Sequence, residues 1–125
     1  MTVKGIGNDL VEIQRIARSL ERYGERFAKR ILSPNEFDSF LESNRPDNFL
    51  AKRFAVKEAV SKALGTGVSQ GITWHDIELA HSVSGQPVAV LHQKAKLKME
   101  EMGAETIHIS LSDESGLVSA FAVLS

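Results

Sequence analysis

A few side chains in this sequence have the types and spacing for chemistry on a charged substrate. Glu58 and Lys62 stand four residues apart in "RFAVKEAVSKALGTG", residues 53–67. On a helix that spacing puts a carboxylate and an ammonium on one face. By itself the pair is an ordinary surface contact that stabilises a helix by roughly 0.2–0.5 kcal/mol. Its company suggests more. Arg53 opens the stretch, Lys57 and Ser61 flank the pair, and Gly65 and Gly67 close it. Cations, a hydroxyl and free backbone suit phosphate oxygens. The "GTG" turn is not a P-loop, because it follows the helix C-terminus, where the macrodipole disfavours anions. The cationic side chains must carry the attraction.

A polyphosphate site that uses Mg²⁺ takes one or two carboxylates, the substrate supplying further oxygens. Glu58 is one candidate metal ligand. Asp9, just past "GIG", is the other; its alternative role is to cap the following helix, which Asp does well. His108 lies on the polar face of an alternating segment beside Ser110, open either to a ligand or to a structural role.

The elements that must position these groups follow from periodicity. "VKGIG" reads as a short strand ending at its glycines. "VEIQRIARSLERYGERFAKRIL" has Ile13, Ile16, Ala17, Leu20, Phe27 and Ile31 at helical spacing, with Gly24 a break or kink. In "SPNE", Ser33 caps, Pro34 suits the first helical position, and Glu36 completes a capping box, so a helix runs from Pro34 to about Ser43. "NRPDN" reads as a turn. A long helix follows from about Asn48 to Leu64. Its face of Ala55, Val56, Ala59, Val60 and Ala63 is small enough for close approach by another element, and Glu58, Ser61 and Lys62 lie off that face with Lys57 at their flank. "TWHDIELAHS" and "QPVAVLH" read as a hairpin, and "QKAKLKMEEM" as a helix closed by Gly103. "TIHISLS" turns Ile107, Ile109 and Leu111 inward, and "LVSAFAVL" is a last strand, apolar on both faces. The expected class is α+β, a small, mainly antiparallel sheet packed with a long central helix and shorter helices. No βαβ alternation points to a Rossmann-type sheet.

The 125 residues imply one domain, residues 1–125. With 15 basic and 16 acidic residues, net charge does not ask for nucleic acid, and no cysteine is present for disulfides or thiolate metal sites. No signal peptide or membrane span is expected. One local concentration of charge stands out. Arg15, Arg18, Arg22, Arg26 and Lys29 would form a stripe about 80° wide on a continuous helix. It is either a solvated face or a docking surface for an acidic protein, for which Arg15, Arg22 and Arg26 are the candidate contacts.

Three segments, "GIGNDLVEIQRI", "FAVKEAVSKALGTG" and "IHISLSD", resemble in order and spacing the three motifs of the holo-[acyl-carrier-protein] synthases, the small bacterial type of 4′-phosphopantetheinyl transferase; "RFAKRILSPNE" matches as well. The resemblance covers nearly the whole chain, and the middle motif is the most specific. It implies transfer of the phosphopantetheine arm of coenzyme A to a serine of apo-acyl carrier protein in fatty-acid biosynthesis, with adenosine 3′,5′-bisphosphate released. Asp9 and Glu58 match the magnesium ligands, Lys62 the lysine at the reacting pyrophosphate, and His108 the histidine associated with coenzyme A. Arg53, Lys57, Ser61 and Gly65 are counted with Lys62 as coenzyme A contacts, and Asp9, Glu58 and Lys62 as catalytic. The resemblance also implies a cytoplasmic homotrimer with sites between subunits. In one place the chain departs: many relatives have a second histidine where Asp113 follows Ser112. Two other readings stand beside this one, a non-catalytic adaptor for acidic proteins and another Mg²⁺-dependent nucleotide enzyme.

Overall fold

The structure, a computed structural model, describes residues 2–125. Strand β1, Gly5–Glu12, lies antiparallel to the C-terminal strand β5, Leu117–Leu124, and β5 lies antiparallel to β4, Ile107–Glu114. The sheet order is β1-β5-β4. A separate hairpin joins β2, Ile77–His81, to β3, Pro87–Leu91. Helices α1, Ile13–Tyr23, α2, Glu25–Ile31, and α3, Pro34–Leu41, lead into the long helix α4, Pro46–Ala63. Helix α5, Gln93–Glu101, precedes β4. The expected α+β architecture with antiparallel pairing is present.

Helix α4 is the axis of the core. Leu50, Ala51, Ala55, Val56, Ala59, Val60 and Ala63 are buried along it and form one core with Val118, Ala120, Ala122 and Leu124 of β5 and Val11 of β1. Each buried valine there stabilises the fold by roughly 1.5–3 kcal/mol. The helix begins at Pro46, two residues before the expected Asn48, because Pro46 occupies the first turn instead of a preceding loop turn.

The tightest packing is between β1 and α4. A Cβ added to Gly7 would fall 2.1 Å from the Ala59 carbonyl oxygen, and one added to Gly5 would fall 2.1 Å from that of Ala63. The two glycines do not end the strand, as the sequence suggested. They let it pass against the helix backbone, and β1 continues to Glu12. Asp9 is therefore inside the strand, paired with Ala120, and the N-cap of α1 is Glu12. The capping alternative for Asp9 is overturned.

One further reading changes. Gly24, at φ 65° and ψ −149°, separates α1 from α2, so the basic stripe is not continuous. On β5 only one face is covered: Val118, Ala120, Ala122 and Leu124 are buried, while Phe121 is 49% exposed and Leu117 is also exposed. Next to them on β1, Ile6 and Leu10 are 63% and 64% exposed.

Gly7→Ala should lower the unfolding free energy by about 1–3 kcal/mol, because the added methyl forces β1 away from α4. Urea unfolding measures this, and an unchanged midpoint would show that the seam is looser than its geometry.

Candidate functional site

Residues 5, 7 and 9 share one face of β1. The two glycines of that face lie on α4, so the next side chain, Asp9, is delivered beside the helix one turn from its C-terminal end. There Lys62 Nζ donates to Asp9 Oδ1 at 2.9 Å and to the Asn8 carbonyl at 3.1 Å. Glu58, one helical turn before Lys62, lines with Asp9 a cavity of about 430 Å³ whose wall includes Leu10, Arg15, Phe27 and Phe54. The structure thus brings Asp9 to Glu58 and Lys62, which lie far from it in sequence.

The electrostatics of this group are unbalanced. Lys62 is half exposed and pairs with Asp9. Glu58 makes no ion pair among the described residues. Its carboxyl pKa is pushed up, chiefly by burial and then by the Asp9 charge; the Trp74 indole and Lys62 offset part of this. Three carboxylates, Asp9, Glu12 and Glu58, line the cavity together with Arg15, and the Lys62 ammonium pairs with Asp9 beside it. A hard cation bound there would relieve the repulsion, and two carboxylate donors, with a substrate's oxygens, are a set that Mg²⁺ accepts. Among the described residues no group of three or more His, Asp or Glu forms an all-protein cage, so water or substrate oxygens would complete the shell of an ion bound here.

The remaining sequence-based candidates separate. Lys57 is 0% exposed. Its ammonium donates to Glu36 Oε1 at 2.7 Å, to the Trp74 carbonyl at 2.9 Å and to the Ile77 carbonyl. All three donors are used, so Lys57 has none left for a phosphate, and the expectation for it is corrected. Ser61 is also buried, and its hydroxyl returns to the Glu58 carbonyl at 2.8 Å; it presents nothing to a ligand. Both expectations fail because α4 is covered nearly all round, and a face judged open on the wheel is interior.

Arg53 is outside the Asp9 cavity. Its guanidinium stacks 3.5 Å from the centroid of Phe49, its Nε is buried with no hydrogen-bond partner among the described residues, and it lines a second cleft with Asn35, Glu36 and Glu78. Gly65, at φ 80°, ends α4 with open space where a side chain would stand. His108 is exposed on the outer face of β4, 3.4 Å from Ser125 Oγ. That face carries the alternation expected, with Ile107, Ile109 and Leu111 packed against the core. Among the arginines, Arg15 lines the cavity itself. Arg22 lies over the Tyr23 ring at 5.4 Å, and Arg26 lines a shallow hollow with Tyr23, Phe27 and Arg30.

The capping box at Ser33 and Glu36 is present, with the Ser33 N–H donating to Glu36 Oε1 at 3.0 Å. Its further role was missed. Glu36 also accepts from Lys57 and from the Leu79 N–H at 2.9 Å, tying α3, α4 and β2 together. Trp74 was missed too. It opens a single 3₁₀ turn, Trp74–Asp76, whose "TWHD" is a second reciprocal cap of the kind recognised in "SPNE". Asp113, where the family pattern varies, accepts from Asn48 Nδ2 at 2.8 Å and lies 3.6 Å from Lys52 Nζ, holding the start of α4 to the end of β4.

The sequence profile of the 4′-phosphopantetheinyl transferase superfamily matches residues 5–117. The chain is 45% identical over 124 residues to the holo-[acyl-carrier-protein] synthase of Vibrio atlanticus, covering 99% of this chain and 98% of that one. Among solved structures it is similar to the holo-[acyl-carrier-protein] synthase of Neisseria meningitidis, with a TM-score of 0.93, 39% identity and 99% of each chain covered. It is also similar to the Helicobacter pylori enzyme of that name in complex with coenzyme A, with a TM-score of 0.82, 32% identity, and 96% of this chain and 99% of that one covered.

Lys57→Ala should cost about 3–5 kcal/mol of stability, since it strands the Glu36 carboxylate in the interior. The double variant Lys57→Met with Glu36→Gln should recover much of it. Chemical denaturation distinguishes this from a ligand role, in which Lys57→Ala would leave stability intact.

Proposed function

The chain belongs to the 4′-phosphopantetheinyl transferase superfamily, and we propose that it transfers 4′-phosphopantetheine from coenzyme A to a serine of apo-acyl carrier protein in fatty-acid biosynthesis, releasing adenosine 3′,5′-bisphosphate. The observation that carries this reading is that Asp9 and Glu58 line one cavity while Lys62 pairs with Asp9 beside it. Relatives across the full length of the chain bear the name of that activity.

The chemistry suits the residues. The serine oxygen attacks the phosphorus that carries the pantetheine arm, forming a new P–O bond. The bond from that phosphorus to the bridging oxygen breaks, and its electron pair leaves with the nucleotide bisphosphate. Charge grows on the leaving and non-bridging oxygens, where a fixed cation is worth most. Lys62 supplies one such charge. Glu58, its carboxyl pKa raised by burial and by Asp9, takes the serine proton directly or through one water. Asp9 and Glu58 would hold Mg²⁺, which when bound supplies Lewis-acid charge neutralisation at the pyrophosphate.

Of the proposed coenzyme A contacts, Arg53, Gly65 and His108 stand apart from this cavity within one chain. A homotrimer with sites between subunits would reconcile them. Supporting it, the outer face of the sheet exposes Ile6, Leu10, Leu117 and Phe121, and His108 shares that face. An apolar patch of this kind marks an interaction surface. Arg15, Arg22 and Arg26 are the proposed contacts to the acidic carrier protein. Cytoplasmic residence goes with this reading, since both proposed substrates are found there.

The deciding experiment is mass spectrometry of apo-acyl carrier protein after incubation with this protein, coenzyme A and Mg²⁺. A gain equal to one phosphopantetheine is expected. Binding without a mass gain would instead identify a non-catalytic adaptor.

Asp9→Asn and Glu58→Gln should each lower turnover by about 10²–10³-fold, the scale of losing one electrostatic group at a transition state. Thermal unfolding in EDTA should change little, and near-normal turnover in either would remove that residue from the site. Arg22→Glu and Arg26→Glu should raise KM for the carrier protein and leave KM for coenzyme A unchanged. The effect should shrink as salt rises, because screening at physiological ionic strength limits exposed charges to about 8–10 Å. Steady-state kinetics with each substrate varied at two salt concentrations checks both expectations.

A further inference from the structure

The chain has one tryptophan, Trp74, and the chemistry above gives it no part. Its backbone is fixed from several directions. The carbonyl accepts from buried Lys57 at 2.9 Å. The turn is closed by the reciprocal cap, with the Thr73 N–H donating to Asp76 Oδ2 at 3.0 Å. The next residue, His75, lies with its Nε2 2.7 Å from the Lys29 carbonyl, which anchors the turn to α2.

The ring held in this way packs against Phe54, centroids 5.9 Å apart, and Phe54 is part of the cavity wall that contains Glu58. The indole Nε1 is buried and has no hydrogen-bond partner among the described residues. Buried donors without acceptors are costly and rare. A phenylalanine would fill the same apolar space and leave no donor, so packing alone does not account for an indole here. Glu58 stands one helical turn after Phe54 on α4 and lines the same cavity, which puts the ring packed on Phe54 on the Glu58 side of the helix; the indole also offsets part of the upward push that burial and Asp9 give the Glu58 pKa. Trp74 is not itself part of the cavity lining, so any contact it makes with Glu58 comes from outside the cavity.

We propose that Trp74 is a positioning residue for the transfer, its indole N–H donating to one oxygen of Glu58 and turning the other toward the reacting groups. The inference rests on the reading of Glu58 given above. A carboxylate on a flexible side chain can rotate both oxygens away from productive geometry; one fixed donor removes that freedom. Hydrogen bonds of this kind are often long in unliganded sites and tighten when substrate is present. Lys57 gains a second consequence: by holding the Trp74 carbonyl, it fixes the donor that orients its own neighbour in sequence.

The test compares the wild type, Trp74→Phe and Glu58→Gln. In Trp74→Phe, kcat should fall about tenfold or more, as for loss of a hydrogen bond to a charged group. The Mg²⁺ concentration for half-maximal activity should rise severalfold. KM for coenzyme A and thermal unfolding in EDTA should stay close to wild type. Wild-type kcat and Mg²⁺ dependence in a folded Trp74→Phe would overturn the proposal. If Glu58→Gln itself turns over normally, the reading of Glu58 has failed, and with it any role for Trp74 through it. Trp74 is also its own probe. With coenzyme A present and no acceptor protein, Mg²⁺ added to the wild type should give a saturable change in its emission, and Glu58→Gln should abolish that change. Emission indifferent to Mg²⁺ in the wild type would overturn the proposal even where Trp74→Phe does not fold.

Discussion

Everything at the site depends on a contact made by residues with almost no side chain. Gly5 and Gly7 lie so near the carbonyls of Ala63 and Ala59 that a methyl on either glycine would collide with the helix backbone. Strand and helix axes can approach this closely only where both partners are small. Once Gly7 is seated on α4, the alternation of the strand leaves no choice for Asp9. It must emerge on the same face two residues later, against the stretch of helix that carries Glu58 and Lys62. Glu58 and Lys62 are one helical turn apart by covalent geometry; the seam adds the third member. Bulk at Gly7 would therefore act on chemistry and on stability together.

A second constraint supports this one from the opposite side of α4. The Lys57–Glu36 pair lies in the interior, where desolvation lowers the lysine pKa despite the adjacent carboxylate. Such pairs contribute little net stability compared with apolar replacements, yet losing one partner is severe. Here every polar atom is used. Glu36 gathers a helix N-terminus, an ammonium and a strand N–H, and Lys57 gathers a carboxylate and two carbonyls. The result is a rigid junction of α3, α4, the Trp74 turn and β2 beneath the cavity wall. Consecutive residues of α4 thus divide the work: Lys57 faces inward to hold the frame, and Glu58 faces the cavity.

Much of this was legible in the sequence, and the errors share a cause. Strict alternation in "TIHISLS" gave β4 its inner and outer faces, and the small residues of α4 announced a close approach. Local signals with two meanings misled. Glycines commonly end strands, so Gly5 and Gly7 read as a boundary, although they are contacts. "RPDN" suits a loop turn and a helix start equally, and only packing of Asn48 and Leu50 decides between them. A helical wheel assumes one covered side; α4 is covered by the sheet on one side and by α1, α3 and the β2 region on others, so Lys57 and Ser61 fell inside. The same limitation hid the break at Gly24, which divides a stripe of charge that an uninterrupted helix would have displayed. Long-range convergence, such as Glu36 with Lys57 or Asp9 with Lys62, has no local signature.

On the proposed reading, the β1–α4 seam assembles a cation site from Asp9 and Glu58 beside Lys62. The most direct measurement is anomalous diffraction from crystals grown with coenzyme A and Mn²⁺ in place of Mg²⁺. A single strong peak is expected between the Asp9 and Glu58 carboxylates, in contact with the pyrophosphate. A peak bound by other residues, or coenzyme A ordered with its pyrophosphate away from Lys62, would contradict it.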